Sequence, residues 1–205
     1  MFIDTEDEKA CGKALMALMH RAAELALERE GIGSEACEVS LSFVSPDEIR
    51  EMNKLYRGKD SATDVLSFPM YESAEMIRAA VVQPGQPRRF SGAKPRQPRD
   101  SKALEQVGFA SRICGAAPVA QPRGLRAISA CTSSPILLGD VVICREIAEK
   151  QAEEIGQSAE RELLYLFVHS VFHLLGYDHE SEDGRRAMRE AEEEVLRKAE
   201  TEETE

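Results

Sequence analysis

The chain has 205 residues with 37 acidic and 26 basic side chains, which gives a formal net charge of −11 at pH 7. This length predicts one domain, and the excess of negative charge argues against a broad nucleic-acid-binding surface. Five scattered cysteines without a CxxC pair argue against a disulfide framework or a thiolate metal site, and they indicate reduced thiols of a cytoplasmic protein.

The acidic N-terminus has no cationic segment followed by an apolar run, so we expect no signal peptide. No apolar stretch is long enough to cross a membrane, so we expect no membrane partner. The predicted location is the cytoplasm.

The first part of the chain predicts alternating strands and helices. Residues 2–4 indicate a short edge strand, residues 8–30 an amphipathic helix, and residues 39–43 a half-buried strand with period-two alternation. A second helix begins at Ser45-Pro46-Asp47-Glu48, because serine caps a helix, proline fits its first turn and Glu48 completes a capping box. This helix is expected to end near Tyr56.

Three basic residues, Arg50, Lys54 and Arg57, follow the i, i+4, i+7 pattern of one helix face. A solvated surface and a functional basic stripe are equally compatible with this pattern. Arg57 differs from the other two because it lies at the helix end, where the chain turns through Gly58.

Two further strands are predicted on either side of an irregular stretch. Residues 63–69 form a strand closed by a proline, and residues 136–144 form an apolar run typical of a strand buried on both faces. Asp140 inside that run needs a partner, because a bare buried carboxylate is costly. A structural bond to a backbone turn is favoured over the orientation of an arginine or a histidine.

Residues 72–134 interrupt the pattern. They contain ten basic and four acidic residues and six of the nine prolines, without sustained periodicity. The composition predicts a flexible insertion, and a basic arm that binds a polyanion is the functional alternative.

The last third of the chain is predicted to be helical. Helices are expected over residues 145–156, from the Ser158 cap to residue 175, and over residues 182–199. The middle one is apolar on nearly every side, so it is predicted to be a buried core helix.

Three of the four histidines lie on this buried helix and its exit: His169, His173 and His179. The first two are one helical turn apart, and Gly176 allows the chain to turn so that His179 meets them. Three converging imidazoles with an open fourth position are typical of a catalytic zinc site.

The i, i+4, i+10 spacing is also that of zinc peptidases with the HExxHxxGxxH signature, which require a glutamate general base after the first histidine. Here that position is Ser170. A serine cannot act as the base at neutral pH, so the metal geometry is present without the peptidase base.

The stretch from His169 to His179 (HSVFHLLGYDH) resembles the motif of the YbeY family, bacterial rRNA maturation factors described as metal-dependent endoribonucleases. Residues 52–69 (MNKLYRGKDSATDVLSFP) and 138–143 (LGDVVI) agree with it in the same order. The chain departs from the family at Ser170, where glycine is common, and in the long link between the second and third motifs.

The resemblance implies an α+β fold, with a small mixed sheet packed against helices and the metal site at the end of a buried helix. It implies one zinc ion per chain on His169, His173 and His179, with Arg57 as the functional arginine beside it. Residues 1–205 are then a single metallo-endoribonuclease domain interrupted by the insertion at 72–134.

The implied function is hydrolysis of single-stranded RNA in ribosomal RNA maturation, at the 3′ end of the small-subunit rRNA, and in ribosome quality control. The implied partners are ribosomal RNA, small-subunit ribosomal proteins and an assembly GTPase. Arg57 suits this chemistry because an arginine fork matches the charge that builds on phosphate oxygens. Lys59, Lys54 and Arg50 are expected to extend a positive track along the RNA.

Two other functions remain open from the sequence. One is a non-catalytic ribosome assembly factor with a structural metal. The other is a zinc peptidase-like hydrolase, against which Ser170 argues. No general base is evident, and Asp178 is a candidate to support the metal ligands.

Overall fold

The computed structural model describes residues 2–5, 11–82 and 135–201. Its strands are β1 (Phe2–Asp4), β2 (Cys37–Val44), β3 (Val65–Pro69) and β4 (Ile136–Cys144). Its helices are α1 (Lys13–Arg29), α2 (Pro46–Arg57), α3 (Ala74–Val82), α4 (Arg145–Ile155), α5 (Ala159–Leu174) and α6 (Glu182–Thr201). None of the helices in these ranges is long and apolar enough to cross a membrane.

The four strands form one sheet in the order β1-β2-β4-β3. β1 pairs with β2 and β2 pairs with β4 in parallel, whereas β3 is antiparallel to β4. The predicted α+β fold with a small mixed sheet packed against helices is therefore confirmed.

β4 is buried on both faces of the sheet, as its apolar run predicts. Val141 and Ile143 belong to the main core with α1 and α5. Val142 and Cys144 point the other way and pack in a second cluster with Ile49 of α2. The alternation of a strand thus places α2 on the side of the sheet opposite the long C-terminal helices.

α5 lies at the centre of the main core, where Phe167 and Phe172 are completely buried. Its close approach to the sheet depends on Gly139 of β4. A Cβ at Gly139 would lie 2.3 Å from the carbonyl oxygen of Phe68 and 2.8 Å from Cδ2 of Leu174. The predicted buried helix is confirmed, and its rigidity is what a metal ligand set requires.

Both predicted serine caps are present. Ser45 and Glu48 form the complete capping box, and the Ser158 hydroxyl accepts a hydrogen bond from the Arg161 amide at 3.2 Å. The half-buried Asp140 carboxylate finds its partner in the side chain of Ser40, its neighbour on β2. Burial nevertheless raises the pKa of Asp140.

Residues 74–82, which the sequence assigns to the insertion and where it predicts no regular structure, form α3. Ile77 is fully buried in the main core, and Arg78 donates a hydrogen bond to the carbonyl of Glu30 at 2.5 Å. A nine-residue helix is too short to show clear periodicity, and its stability comes from these tertiary contacts. The rest of the predicted insertion, residues 83–134, lies outside the described residues.

Candidate metal centre

The turn that ends α5 is built by a glycine. Gly176 has a φ of 91°, its amide donates to the carbonyl of His173 at 3.1 Å, and the amide of Tyr177 donates to that of Phe172 at 3.0 Å. These two bonds form a Schellman motif, which reverses the chain direction. The reversal brings His179 back toward the helix end.

The same glycine is needed for packing. A Cβ at Gly176 would lie 2.7 Å from the carbonyl oxygen of Glu72 and 2.8 Å from the Cα of Ser73. The segment that leads into α3 therefore rests directly against the turn.

The three histidines converge as their spacing predicts. The ring centroids of His169 and His173 are 4.6 Å apart, and the ring of His179 lies 5.9 Å and 5.1 Å from them. One ring nitrogen of each residue lies within 4.8 Å of the others. His169 and His173 are half-buried and His179 is exposed, so the cluster has a solvent-facing side.

Hydrogen bonds set the tautomers of two of the rings. Nδ1 of His169 lies 2.7 Å from Oε1 of Glu192, and Nδ1 of His173 lies 2.9 Å from the carbonyl oxygen of Tyr177. Both partners are acceptors, so each Nδ1 carries the proton and each Nε2 presents a lone pair. Burial, followed by the charge of His169, lowers the pKa of His173, which favours its neutral form.

These tautomers fit a bound cation. The Nε2 atoms of His169 and His173 are 3.1 Å apart. Two lone pairs at this distance repel each other unless a positive charge lies between them. Tetrahedral zinc with bonds of 2.0–2.1 Å to nitrogen holds its ligand atoms about 3.3 Å apart, close to the observed separation.

Glu192 is a site residue that the motif does not contain. It lies on α6, 23 residues from His169, and is only 4% exposed. Glu192 lies four residues after Met188 and three residues before Val195. Both of these are buried, so Glu192 is on the buried face of α6. An acidic residue on an otherwise apolar helix face is the signal by which the sequence could have revealed it.

Two other residues of the motif, among the part of the chain that the structure describes, have no hydrogen bond to the three histidines. Ser170 is fully buried, and no described group accepts from or donates to its hydroxyl, so it is not placed as a base at the site. The Asp178 carboxylate accepts the amide of Glu180 at 3.1 Å and stabilises the local turn. The carbonyl of Tyr177 and the carboxylate of Glu192 take the supporting role considered for Asp178.

Arg57 is exposed at the end of α2. Its neighbour Tyr56 packs edge-to-face on Phe68 with 5.0 Å between ring centroids, and Asn53 donates to the carbonyl of Ser61 at 2.8 Å. These contacts fix the helix end and its following loop against β3, which packs on α5. The functional role of Arg57 stays a prediction.

The predicted basic track is partly neutralised. Arg50 and Lys54 each contact Asp60 at 2.7 Å, and these bonds hold the pKa of the Asp60 carboxyl below its usual range. Among the described residues, neither Arg57 nor Lys59 forms an ion pair. These two therefore carry the positive charge available at this helix end.

Comparison with known proteins identifies the family. The solution structure of TM1509 from Thermotoga maritima aligns over 97% of this chain and 87% of that one, with a TM-score of 0.49 and 22% identity. An "Endoribonuclease YbeY" of Caldanaerobacter subterraneus subsp. tengcongensis is 40% identical over 196 residues, which cover 96% of this chain and 94% of that protein. One of Pelotomaculum thermopropionicum is 38% identical over 187 residues, which cover 91% and 88%. A family model described as "Endoribonuclease YbeY" matches residues 2–200. The chain therefore belongs to the YbeY endoribonuclease family.

Proposed function

We propose that this protein is a metal-dependent endoribonuclease that cuts single-stranded RNA during maturation of the 3′ end of small-subunit rRNA and in ribosome quality control. The observation that carries the metal dependence is the 3.1 Å approach of the Nε2 atoms of His169 and His173, with both protons on Nδ1. The family membership supports RNA as the substrate.

His169, His173 and His179 would hold one zinc ion per chain. Zinc at this site supplies Lewis-acid chemistry, which polarises a phosphoryl oxygen and acidifies water. Glu192 and the Tyr177 carbonyl orient two of the imidazoles and exclude the wrong tautomers.

Arg57 is the proposed anion-binding residue of the reaction. Its guanidinium is exposed at a fixed helix end and donates in a planar fork, which matches the oxygens of a phosphodiester as negative charge develops on them. Lys59, two residues further on, adds positive charge where the RNA backbone would enter. The proposed site of action is the cytoplasm, with small-subunit ribosomal proteins and an assembly GTPase as partners.

The test compares cleavage of labelled ribosomal RNA by the wild type, His173→Ala and Arg57→Glu. Both variants are expected to lose most activity, and His173→Ala is also expected to lose bound metal in elemental analysis. Lys150→Glu on α4 makes the same charge change at another exposed site and should cleave normally. Equal activity in all four proteins would identify a contaminating nuclease and refute the proposed endoribonuclease activity of this protein.

A non-catalytic assembly factor would bind metal and ribosomal particles but cleave nothing at any concentration. The peptidase alternative is not favoured, because the position of the peptidase base is the buried Ser170.

A further inference from the structure

An exposed aromatic ring lies beside the metal ligands, and neither the motif nor the proposed chemistry uses it. Tyr165 is one turn before His169 on α5, and its ring stacks on the imidazole at 6.1 Å between centroids and 29° between planes. It remains 38% exposed, although the rest of that helix is largely buried. A large, flat and partly exposed side chain in this position offers an aromatic surface at the edge of the site.

α6 adds positive charge to the same edge. Arg185, Arg189 and Glu192 follow the i, i+4, i+7 spacing of one helix face, and Glu192 is the residue that holds His169. Nη2 of Arg185 donates to the carbonyl of His179 at 3.5 Å, so its guanidinium lies beside the main chain of the third histidine. Arg189 is exposed and lies about one helical turn from both Arg185 and Glu192, so it belongs to the same edge of the site.

Arg185 and Arg189 are both exposed on α6, where their guanidinium groups can attract phosphate. Among the described residues neither arginine forms an ion pair, so both are available to a ligand. A polyanion is therefore expected to follow the α6 edge.

We propose that Tyr165, Arg185 and Arg189 form a nucleotide-binding subsite on the α6 side of the histidine cluster. Tyr165 stacks on one base of a single-stranded RNA, and the two arginines bind the adjoining phosphates. Stacking accepts any base and requires that the base be unpaired, so the subsite selects single strands without selecting a sequence. This inference rests on the proposed function, since it assigns a position to the RNA substrate.

The first test measures binding of a fluorescent, phosphorothioate-linked, single-stranded oligoribonucleotide to the zinc-loaded full chain by anisotropy. Tyr165→Leu is expected to weaken binding about ten-fold, and Tyr165→Phe to bind as the wild type does, because the ring alone carries the stacking. An abasic nucleotide at one position should weaken wild-type binding to the same extent and have no further effect on Tyr165→Leu.

The second test measures how the affinity depends on salt. Arg185→Gln and Arg189→Gln should each reduce the slope of log K against log salt concentration by about 0.7, because each removes one phosphate contact with a single strand. The matched control is Arg186→Gln, since Arg186 lies between them but is 77% exposed and pairs weakly with Glu190. Its slope should equal that of the wild type.

The outcomes separate this inference from the proposed function. The subsite is refuted if Tyr165→Leu binds and cleaves RNA like the wild type. It is also refuted if Arg186→Gln changes the salt slope as much as Arg185→Gln and Arg189→Gln do. Neither result contradicts the proposed endoribonuclease activity. Loss of zinc from Tyr165→Leu would also refute it, because the ring would then act through His169. A wild-type protein that neither binds nor cleaves RNA would refute both.

Discussion

Oε1 of Glu192 lies 2.7 Å from Nδ1 of His169 and joins α6 to the first of the proposed metal ligands on α5. The carboxylate is 4% exposed, so this bond is formed largely out of water, where it is strong. It fixes the ring orientation and directs the Nε2 lone pair toward the other histidines. The geometry of the candidate metal site therefore depends on a residue outside the sequence motif.

Replacing Glu192 should weaken metal binding without removing a ligand. We expect Glu192→Ala to lower zinc affinity about 10- to 100-fold, the usual effect of losing such a supporting group. The measurement is competition with a zinc chelator. Glu193→Gln, on the exposed side of the same helix, is the control and should bind zinc normally. Unchanged affinity in Glu192→Ala would show that His169 is oriented by its packing alone.

A Cβ at Gly176 should be far more damaging than one at another glycine with positive φ. Gly176→Ala places a methyl group 2.7 Å from the carbonyl of Glu72, whereas at Gly31, with φ of 64°, no described atom beyond its chain neighbours lies within 4 Å of the added Cβ. Gly31→Ala should cost roughly 1–2 kcal/mol of unfolding free energy from backbone strain alone. Gly176→Ala should exceed this and also lower zinc affinity. If urea titrations give the two variants the same loss of unfolding free energy, the Glu72–Ser73 segment moves aside without cost.

Removing the Ser170 hydroxyl should not harm the protein. The group is fully buried and has no hydrogen-bond partner among the described residues, so none of them compensates its desolvation. We expect Ser170→Ala to leave zinc binding and cleavage unchanged and to raise the unfolding free energy by about 1 kcal/mol. A large loss of activity in Ser170→Ala would give the hydroxyl a role that its burial contradicts.

Stability should depend on pH through Glu162. Burial, aided by the charge of Asp64, raises the pKa of this carboxyl above its ordinary 4.5. The folded state then holds the proton at a pH where the unfolded state has released it, so stability falls as pH rises from 4.5 through the folded pKa.

The test of this pH dependence is Glu162→Gln. This variant should be more stable than the wild type at pH 7, and the difference should shrink below pH 4.5, as measured by urea unfolding. Glu160→Gln, an exposed change in the same first turn of α5, controls for the helix dipole. If the difference in unfolding free energy between Glu162→Gln and the wild type is constant from pH 4 to pH 7, the raised pKa of Glu162 is contradicted.

Metal binding should survive loss of the long insertion. Replacing residues 84–133 by a short glycine-serine linker should leave zinc content unchanged, since all three ligands lie on α5 and the turn after it. Deleting residues 75–130 also removes Ile77 and Arg78, so it should keep the ligands but lower the unfolding free energy. Loss of zinc in the narrower deletion would show that the insertion supports the site.

Local patterns determined much of this protein from the sequence alone. The i, i+4 spacing of His169 and His173, the glycine at the helix end and the apolar surroundings predicted a ligand set on a buried helix. The capping box at Ser45 and the burial of β4 on both faces were equally predictable from the sequence. Each of these features depends on residues within one or two turns of one another, where helix and strand geometry fixes the relation between side chains.

Only the tertiary structure decided which distant groups meet. Glu192 reaches His169, Ser40 reaches Asp140, and Asp60 neutralises Arg50 and Lys54 because the packing of the sheet and helices brings these residues together. The sequence pattern does not predict α3, because the stability of this helix comes from burial of Ile77 and not from its own nine residues. The sequence by itself therefore determined which histidines are the proposed ligands, and the fold decided how their rings are oriented and which of the described charges beside them are paired.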